Sequence, residues 1–494
     1  MRALKKKIKG LKKPQFKRLK ELTHHAKNLY NQTLWTLREA FEATGKYFSY
    51  PQMDKAMKQV TNLEGEVNYK LLKAKVAQQT LRRLDKNFRS FFSCHQDFQK
   101  NPSKYKGKPK PPKYKIEPHD HLIFDYQAFR IQGLFIVEKG PEIPLPNGKT
   151  FPVGESIRYE QVVVLEKGLE IQVPKQLWDK DIKQVEIIPK HKSFHAVFVY
   201  EENPTDFIQV NQSEQVMSID LGLNNLATCV TNGVIEPFII DGRRLKSVNA
   251  YYNKRKAKMQ SKLSKRGKKG SRRLQGLTDW RNAVVNDYMH KATSIVVKTC
   301  VKHGISQVVV GDVVKSLNQI NLGKRTNQNF VNLSLGQFVE KLSYKLGSHG
   351  IELVVADESY TSKASFVDDD KVPKRYNPKA KQKRTFSGQR VKRGLYKSSD
   401  GTLVNADVNG AYNILRKTDS DFSFSKLAKK VGTRIKEWLH PTKRIHPLPT
   451  PREQFLIDLE KASSNLSRQT ANGSGVDSSP IHIVEMAAAT WTCQ

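Results

Sequence analysis

Apolar residues recur at helical spacing from Phe16 to about Gly45, where Leu19, Leu22, Ala26, Leu29 and Tyr30 share one face. The same period predicts a second long helix from about Tyr69 to Phe98, with Leu72, Val76, Leu81, Leu84, Phe88 and Phe91 on or near one side. Lys70, Lys73, Arg82, Arg83, Lys86 and Arg89 are interleaved with them. They read either as a solvated face or as a helical wall against phosphates. From Asn101 to Lys115 four prolines and one glycine exclude regular structure, leaving a basic loop that carries Tyr105 and Tyr114. Such a loop is a plain linker or a support for a nucleic-acid backbone, with tyrosines to stack on bases.

From about Glu117 to Tyr200 the period shortens to alternation. Runs such as HLIFDY, YEQVVVLEKGLEIQV and FHAVFVYE are separated by Gly, Pro, Asn and Lys. They predict a small antiparallel barrel or sandwich. A strand follows at VMSIDLGLNNLATCVT, and Asn232-Gly233 is a hairpin signal leading into VIEPFIID. Asp241-Gly242 then turns the chain into a basic helical region. Between Lys262 and Arg273, four glycines or serines among seven cations predict a break, before a helix over about Asp279 to His303. A strand (Gln307 to Val310), a helix (about Leu333 to His349) and a strand (Ile351 to Val355) come next. Alternating strands and helices after an antiparallel opening predict an RNase H-like α/β domain. The reading is therefore a multidomain α+β chain: helices over 1–115, a small β-barrel over 116–215, an RNase H-like nuclease part over 216–360, a basic insertion over 361–402, a closing helix over 403–418, and a variable tail over 419–494. The Ser/Asn/Gly-rich stretch Ala462 to Pro480 reads as disordered.

Charge narrows the partners. The 494 residues carry 86 Lys+Arg against 47 Asp+Glu, a formal net charge of +39. Phosphate backbones are the natural counter-charge for such an excess. No segment approaches ~20 consecutive apolar residues, so a membrane is not an expected partner. The N-terminus MRALKKKIKGLKK lacks the apolar stretch of a signal peptide. Cys94, Cys229, Cys300 and Cys493 form no CxxC pair. That excludes a disulfide framework and a visible zinc site, and the expected compartment is a reducing cytoplasm.

Three distant acids carry the candidate chemistry. Asp220 ends an apolar strand in SIDLGLNNLAT, where propensity disfavours Asp; the plain alternative is a strand-end Asp bonding the Gly222 turn. Asp407 opens a helix in ADVNGAYNILRK, beside a buried face of Val408, Ala411, Tyr412 and Leu415; its plain alternative is a helix N-cap. The third acid is Glu358, after the strand IELVV, with Asp312, after the strand QVVV, as the alternative. Strand side chains alternate, so a one-residue slip reverses the face. Glu358 is preferred for its reach, and Asp357 is expected to point away. In an RNase H-like sheet these positions converge. Carboxylates suit Mg²⁺, and a pair of such ions drives phosphodiester hydrolysis.

At these residues the chain resembles TnpB, the RNA-guided nuclease of bacterial insertion sequences (the OrfB type), a relative of compact type V CRISPR effectors. The resemblance rests on SIDLGLNNLAT, ESYTSKAS and ADVNGAYNIL. It extends to LYNQTLW, the NPSKYKGKPKPPKYK loop and NLGKRTNQNF, spanning most of Leu29 to Lys417. It implies a helical recognition lobe, a wedge barrel and a RuvC domain carrying Asp220, Glu358 and Asp407 as catalytic Mg²⁺ ligands. It also implies a guide RNA from the transposon end, a double-stranded DNA target and a short target-adjacent motif. Two departures stand out. The family's usual strand glutamate is Gly311 here, and a subset moves that acid to the ESYTSKAS segment, which makes Glu358 the replacement. The insertion, of the target-strand-loading type, lacks the zinc-ribbon cysteines; Ser365 stands about where the first is expected, so zinc is not expected. The segment Phe386 to Gly401 is read as keeping that role through hydrogen bonds and charge. Expected nucleic-acid contacts are Arg82, Arg83 and Lys86 on the second helix, and Lys104, Tyr105, Lys106, Lys108 and Lys110 in the loop. Lys265, Arg266, Lys268, Lys269, Arg272 and Arg273 at the helix break, with Lys324 and Arg325, complete the set. The leading expectation is an RNA-guided DNA endonuclease; a nuclease-dead guided repressor and a transposase are the alternatives.

Overall fold

A computed structural model describes residues 1–105, 107–139, 142–144, 150–152, 155–190, 193–202, 213–312, 335–373, 385–392 and 394–448. The chain forms two compact units, Met1–Asp206 and Phe207–Gln494.

In the first unit α1 spans Lys13–Thr44, α2 Tyr50–Met57 and α3 Ala74–Lys100. Pro14 and Gln15 start α1; the Gln15 side chain accepts from the Lys12 backbone N–H at 3.0 Å. Gly45 ends it in the left-handed region (φ 66°), donating to the Phe41 carbonyl at 2.8 Å. The second helix begins later than its apolar period suggests, because Asn68–Leu71 winds as a 3₁₀ turn first.

The strands of this unit form open sheets. One has β1 (Arg2–Lys7), β9 (Ser193–Tyr200), β8 (Ile182–Lys190) and β2 (Leu122–Asp125) in that order. Another orders β3 (Arg130–Lys139), β6 (Glu155–Glu166) and β7 (Leu169–Gln172), and β4 (Glu142–Pro144) pairs with β5 (Thr150–Pro152). Among the described residues no closed barrel forms, which corrects that part of the expectation. The physical reason is that β1 and β2 end the four-stranded sheet instead of joining each other. β1 itself has no alternation to announce it. Its partner is β9, antiparallel from Arg2↔Tyr200 to Lys7↔His195. Helices and sheets share one apolar core running from Leu19 and Leu34 through Leu81 to Val185 and Phe198.

The second unit is built on a six-stranded sheet. Its strands are β10 (Val216–Leu221), β11 (Asn225–Thr231), β12 (Phe238–Asp241), β13 (Gln307–Gly311), β14 (Glu352–Ala356) and β18 (Arg444–Ile445). Their order is β14-β13-β10-β11-β12-β18. β10, β11 and β12 are antiparallel neighbours; β13 and β14 run parallel to β10, and β18 parallel to β12. Helices α4 (Arg243–Ser264), α5 (Arg272–Lys302), α6 (Leu335–Gly347) and α7 (Ala406–Thr418) surround it, with short helices α8 (Phe424–Val431) and α9 (Ile435–Leu439). A three-stranded sheet, β15 (Gln389–Lys392), β16 (Leu395–Lys397) and β17 (Leu403–Asn405), precedes α7.

The pleat of β10 sorts its side chains. Met217, Ile219 and Leu221 share one core with Tyr288, Met289 and Phe338 of α5 and α6. The alternate positions, Ser218 and Asp220, therefore turn to the opposite face. There α7 packs through Val408, Ala411, Tyr412 and Leu415, together with Val230 and Phe366. No helix among the described residues is long and apolar enough to cross a membrane.

Candidate active site

Asp220 lies one residue before the end of β10, opposite Thr228 of β11. α7 comes close there because Gly410 faces the carboxylate: a Cβ at 410 would stand 2.9 Å from Asp220 Oδ2. Asp407 sits three residues earlier, in the first turn of the same helix. The N-cap role expected as its plain alternative belongs to Asn405, whose side chain accepts from the Asp407 and Val408 N–H groups at 3.0 and 3.3 Å. The Asp407 carboxylate is thereby spared for other partners. Its Oδ2 accepts from Asn225 Nδ2 at 2.6 Å, and Arg390 of β15 lies 4.0 Å from Oδ1.

Glu358 reaches the same region from the third direction. β13 and β14 pair in parallel as far as Gly311↔Ala356, and Glu358 follows two residues on. Its side chain lies over Gly311, where a Cβ would stand 2.1 Å from Glu358 Oε1 and 2.6 Å from its Cγ. Asp357, next to it, is bound elsewhere. Its Oδ1 accepts from the Ser359 N–H at 2.8 Å and lies 3.3 Å from Lys417 Nζ. Asp312 follows β13, is half-buried, and donates its backbone N–H to Ala356 O at 2.8 Å.

These positions set the electrostatics. Burial pushes the Asp220 carboxyl well above the usual carboxylate range, the charges of Asp407 and Glu358 push it further, and Arg390 opposes them. Asp407 and Glu358 thus both act on Asp220, although Asp407 lies 187 positions further along the chain. Among the described residues no three His, Cys, Asp or Glu side chains form a ready-made cation cage. The donor set still suits a hard divalent ion. It is all carboxylate, and a cation would offset both the burial and the neighbouring carboxylates that raise the Asp220 carboxyl.

The peptide bearing Glu358 is locked to α7 by two asparagines one helical turn apart. Asn409 Nδ2 donates to Ala364 O at 2.8 Å and its Oδ1 accepts from the Phe366 N–H at 2.8 Å. Asn413 Nδ2 donates to Ala364 O at 2.7 Å and to Thr361 O at 3.0 Å. Both are fully buried. Periodicity passed over them, and the signal available was two buried-face asparagines in a helix, where propensity is poor. Asn225 was also missed as an individual position; it sits inside SIDLGLNNLAT and shows no chemistry until Asp407 is beside it.

Beside Asp407 opens a cleft of about 680 Å³ lined by Asn224, Asn225, Arg243, Arg390, Gly394 and Arg444, among others. The insertion that supplies Arg390 is tied by carboxylates. Asp370 accepts from the Ser387 N–H and Oγ at 3.1 and 2.5 Å, and from the Ser365 N–H at 2.7 Å. Asp368 accepts from the Ser399 N–H and Oγ at 3.0 and 2.5 Å.

The expected nucleic-acid contacts divide into distinct groups. Arg83 is committed to buried Asp120, and Arg82 lies over the Tyr50 ring at 4.3 Å. Lys104 and the Tyr105 hydroxyl both bond Asp97, at 2.6 and 2.5 Å, so they staple the loop to α3. Lys86, Lys108 and Lys110 are exposed, as are Lys265, Arg266, Lys268, Lys269, Arg272 and Arg273 at the α4–α5 junction. Lys106, Lys324 and Arg325 lie outside the described residues.

The second unit is thus a mixed sheet with a carboxylate site where β10, the segment after β14 and the first turn of α7 meet. Comparison with known proteins gives this architecture a family setting. Residues 197–317 match the OrfB_IS605 family, described as a probable transposase, and residues 336–414 match the Cas12f1-like TNB domain. The TnpB-like protein MJ0751 of Methanocaldococcus jannaschii is 24% identical over 245 residues, which cover 48% of this chain and 80% of that protein. The resemblance to TnpB read from the motifs is borne out by these matches. Solved structures with some likeness include a Cas12f1–sgRNA–target DNA complex (14% identity, 82% of this chain and 83% of that one, TM-score 0.45). Another is Alicyclobacillus acidoterrestris C2c1 with single-guide RNA (11% identity, 83% and 69%, TM-score 0.29). Likeness this low says nothing about activity.

Proposed function

We propose that this chain is an RNA-guided DNA endonuclease of a transposon, cutting target DNA beside a short flanking motif. What supports the reading is that Gly410, one turn after Asp407, faces the Asp220 carboxylate, that Glu358 lies over Gly311 of the neighbouring strand, and that Asp407 and Glu358 both act on Asp220. The +39 charge and the TnpB-like matches support a nucleic-acid substrate and a guide RNA from the transposon end. Pairing to the guide would read the target sequence, with the protein holding the duplex by its backbone.

The three carboxylates are the groups to hold Mg²⁺, which when bound supplies an activated water and a counter-charge for the leaving oxygen. The chain's own part is placement. β10 fixes Asp220, Asn225 and the Asn405 cap fix Asp407, and the Asn409–Asn413 grip fixes the segment of Glu358. Arg390 stands beside Asp407 at the cleft, placed to meet a phosphate of the strand to be cut.

The test uses protein expressed with the transposon end sequence. Sequencing of co-purified RNA identifies the guide, and a plasmid library with a randomised flank and Mg²⁺ reads out cleavage. Asp220→Ala is expected to lose cleavage by at least a thousandfold while keeping guided DNA binding. Guided binding without cleavage by the unmodified protein would favour a repressor instead.

A further inference from the structure

Asp407 is the end of a chain of hydrogen bonds that starts at Asp241, the last residue of β12. Asn225 Nδ2 donates to Asp407 Oδ2 at 2.6 Å, and the other end of that amide, Oδ1, accepts from Arg444 Nη2 at 2.9 Å. Arg444 Nη1 donates to Asp241 Oδ1 at 2.8 Å. Asp241 ends β12, is 2% exposed, and also accepts from Arg243 Nε at 2.7 Å and the Arg243 N–H at 3.0 Å. Its backbone carbonyl accepts from the Tyr288 hydroxyl at 2.5 Å. The anchor of the chain is therefore a buried carboxylate held on several sides.

Donor and acceptor inventories dictate the direction of the relay. Arg444 has only donors, so Asn225 must present its oxygen to it; the amide NH₂ is then aimed at Asp407. Reversed, Asn225 would set its oxygen against a carboxylate. Arg444 thus decides which way Asn225 points, and Asn225 decides where Asp407 stands. Both bonds that flank the amide join it to a charged partner, which makes them stronger than neutral ones.

Arg444 belongs to β18, a two-residue strand paired with β12 at Ile239↔Arg444 and Ile240↔Ile445. The second family match ends at residue 414, so this arginine lies outside both matched regions. We propose that Arg444 is a positioning residue of the nuclease site: acting from Asp241 through Asn225, it sets the Asp407 carboxylate, and the segment around β18 completes the site. This rests on the nuclease reading above and adds to it a residue outside the three acids.

The experiment uses the full chain with its co-purified guide RNA. Single-turnover cleavage of saturating target, target affinity, thermal melting, and Mn²⁺ binding without DNA by electron paramagnetic resonance are measured for Arg444→Ala, Arg444→Lys and Asn225→Ala. Asn225→Ala leaves the Arg444–Asp241 pair intact and so separates the relay from any loss of folding at the anchor. Arg444→Ala and Asn225→Ala are each expected to slow cleavage and weaken Mn²⁺ binding by roughly 10–100-fold, the usual effect of losing a group that orients a ligand. Arg444→Lys recovers part of both, and target affinity stays within about twofold of the parent. The relay is overturned if both variants cleave and bind Mn²⁺ like the parent. It is equally overturned if Arg444→Ala loses target affinity with unchanged single-turnover cleavage, which would make Arg444 a DNA contact. An Asp220→Ala control separates the levels. If that control cleaves normally, the nuclease reading fails; if it is dead while the relay variants are normal, only the relay fails.

Discussion

Glu358 occupies the space that a side chain at Gly311 would need, with Oε1 only 2.1 Å from where a Cβ at 311 would lie. A residue at the end of β13 and one just past the end of the neighbouring β14 thus share one volume, and here the acid comes from the later segment. Gly311→Ala must push Glu358 aside, since Oε1, Cγ and Cδ all lie within 2.7 Å of the added carbon. Cleavage by Gly311→Ala is expected to fall at least tenfold. Glu358→Ala is expected to be inactive, and adding Gly311→Glu to it to restore a measurable fraction of the rate. A double variant as inactive as Glu358→Ala would show that the two positions are not interchangeable.

Asp220 makes the metal-free protein less stable as pH rises. Burial, then Asp407 and Glu358, raise its folded-state pKa above the unfolded value. Between those two values the folded chain holds a proton that the unfolded chain has released. Stability from this group is therefore complete below the ordinary carboxylate range and declines as pH rises toward the raised value. Asp220→Asn removes that loss. In chelator near neutral pH it is expected to melt higher by a few degrees, on the order of 1 kcal/mol, while cleavage disappears. The gain should shrink as pH is lowered toward 4. An Asp220→Asn protein that melts lower than the parent at neutral pH would contradict the electrostatic account.

The buried asparagines of α7 predict a coupled loss of stability and activity. Asn413→Ala leaves Thr361 O without this donor and Ala364 O with one donor fewer. A cost of about 1–3 kcal/mol follows from leaving buried polar groups unsatisfied. Denaturant titration measures that cost. Cleavage should fall with it, because Glu358 precedes the released peptide. Unchanged stability would mean that the grip is idle.

The exposed cations at the α4–α5 junction and the stapled ones of the loop should behave differently. Charge reversal at Lys268 and Lys269 is expected to weaken RNA binding and lower the magnitude of the salt slope. The slope change is roughly 0.7–0.9 per lost phosphate contact. Lys104→Gln should leave the slope alone, since Lys104 bonds Asp97. Filter binding across a salt series checks both, and equal slopes for all variants would remove the junction from the nucleic-acid interface.

Much of the fold was legible because apolar period records which face a segment buries. Leu19 to Leu37 along α1 and the break that separates α4 from α5 follow from local chemistry, whereas the Asn232-Gly233 hairpin does not form as a two-residue turn: β11 ends at Thr231 and β12 starts only at Phe238, so VIEPFIID supplies a strand in its last four residues alone. β1 was not legible, since a strand of Arg, Ala, Leu and lysines exists only through β9. Open sheets replaced the expected barrel for a related reason: alternation states that strands exist, not which strands close on which.

The candidate site divides in the same way. Composition, motif and strand-end position were enough to single out Asp220, Asp407, Glu358 and Asp312 as the acids worth weighing, because those features are local to each segment. Tertiary structure alone decided that Glu358 lies over Gly311, that Asn405 and not Asp407 caps α7, and that Arg444 reaches Asp407 through Asn225. Residues more than a hundred positions apart meet only through the order of strands in a sheet. That order depends on how whole faces pack, which no single stretch of sequence encodes.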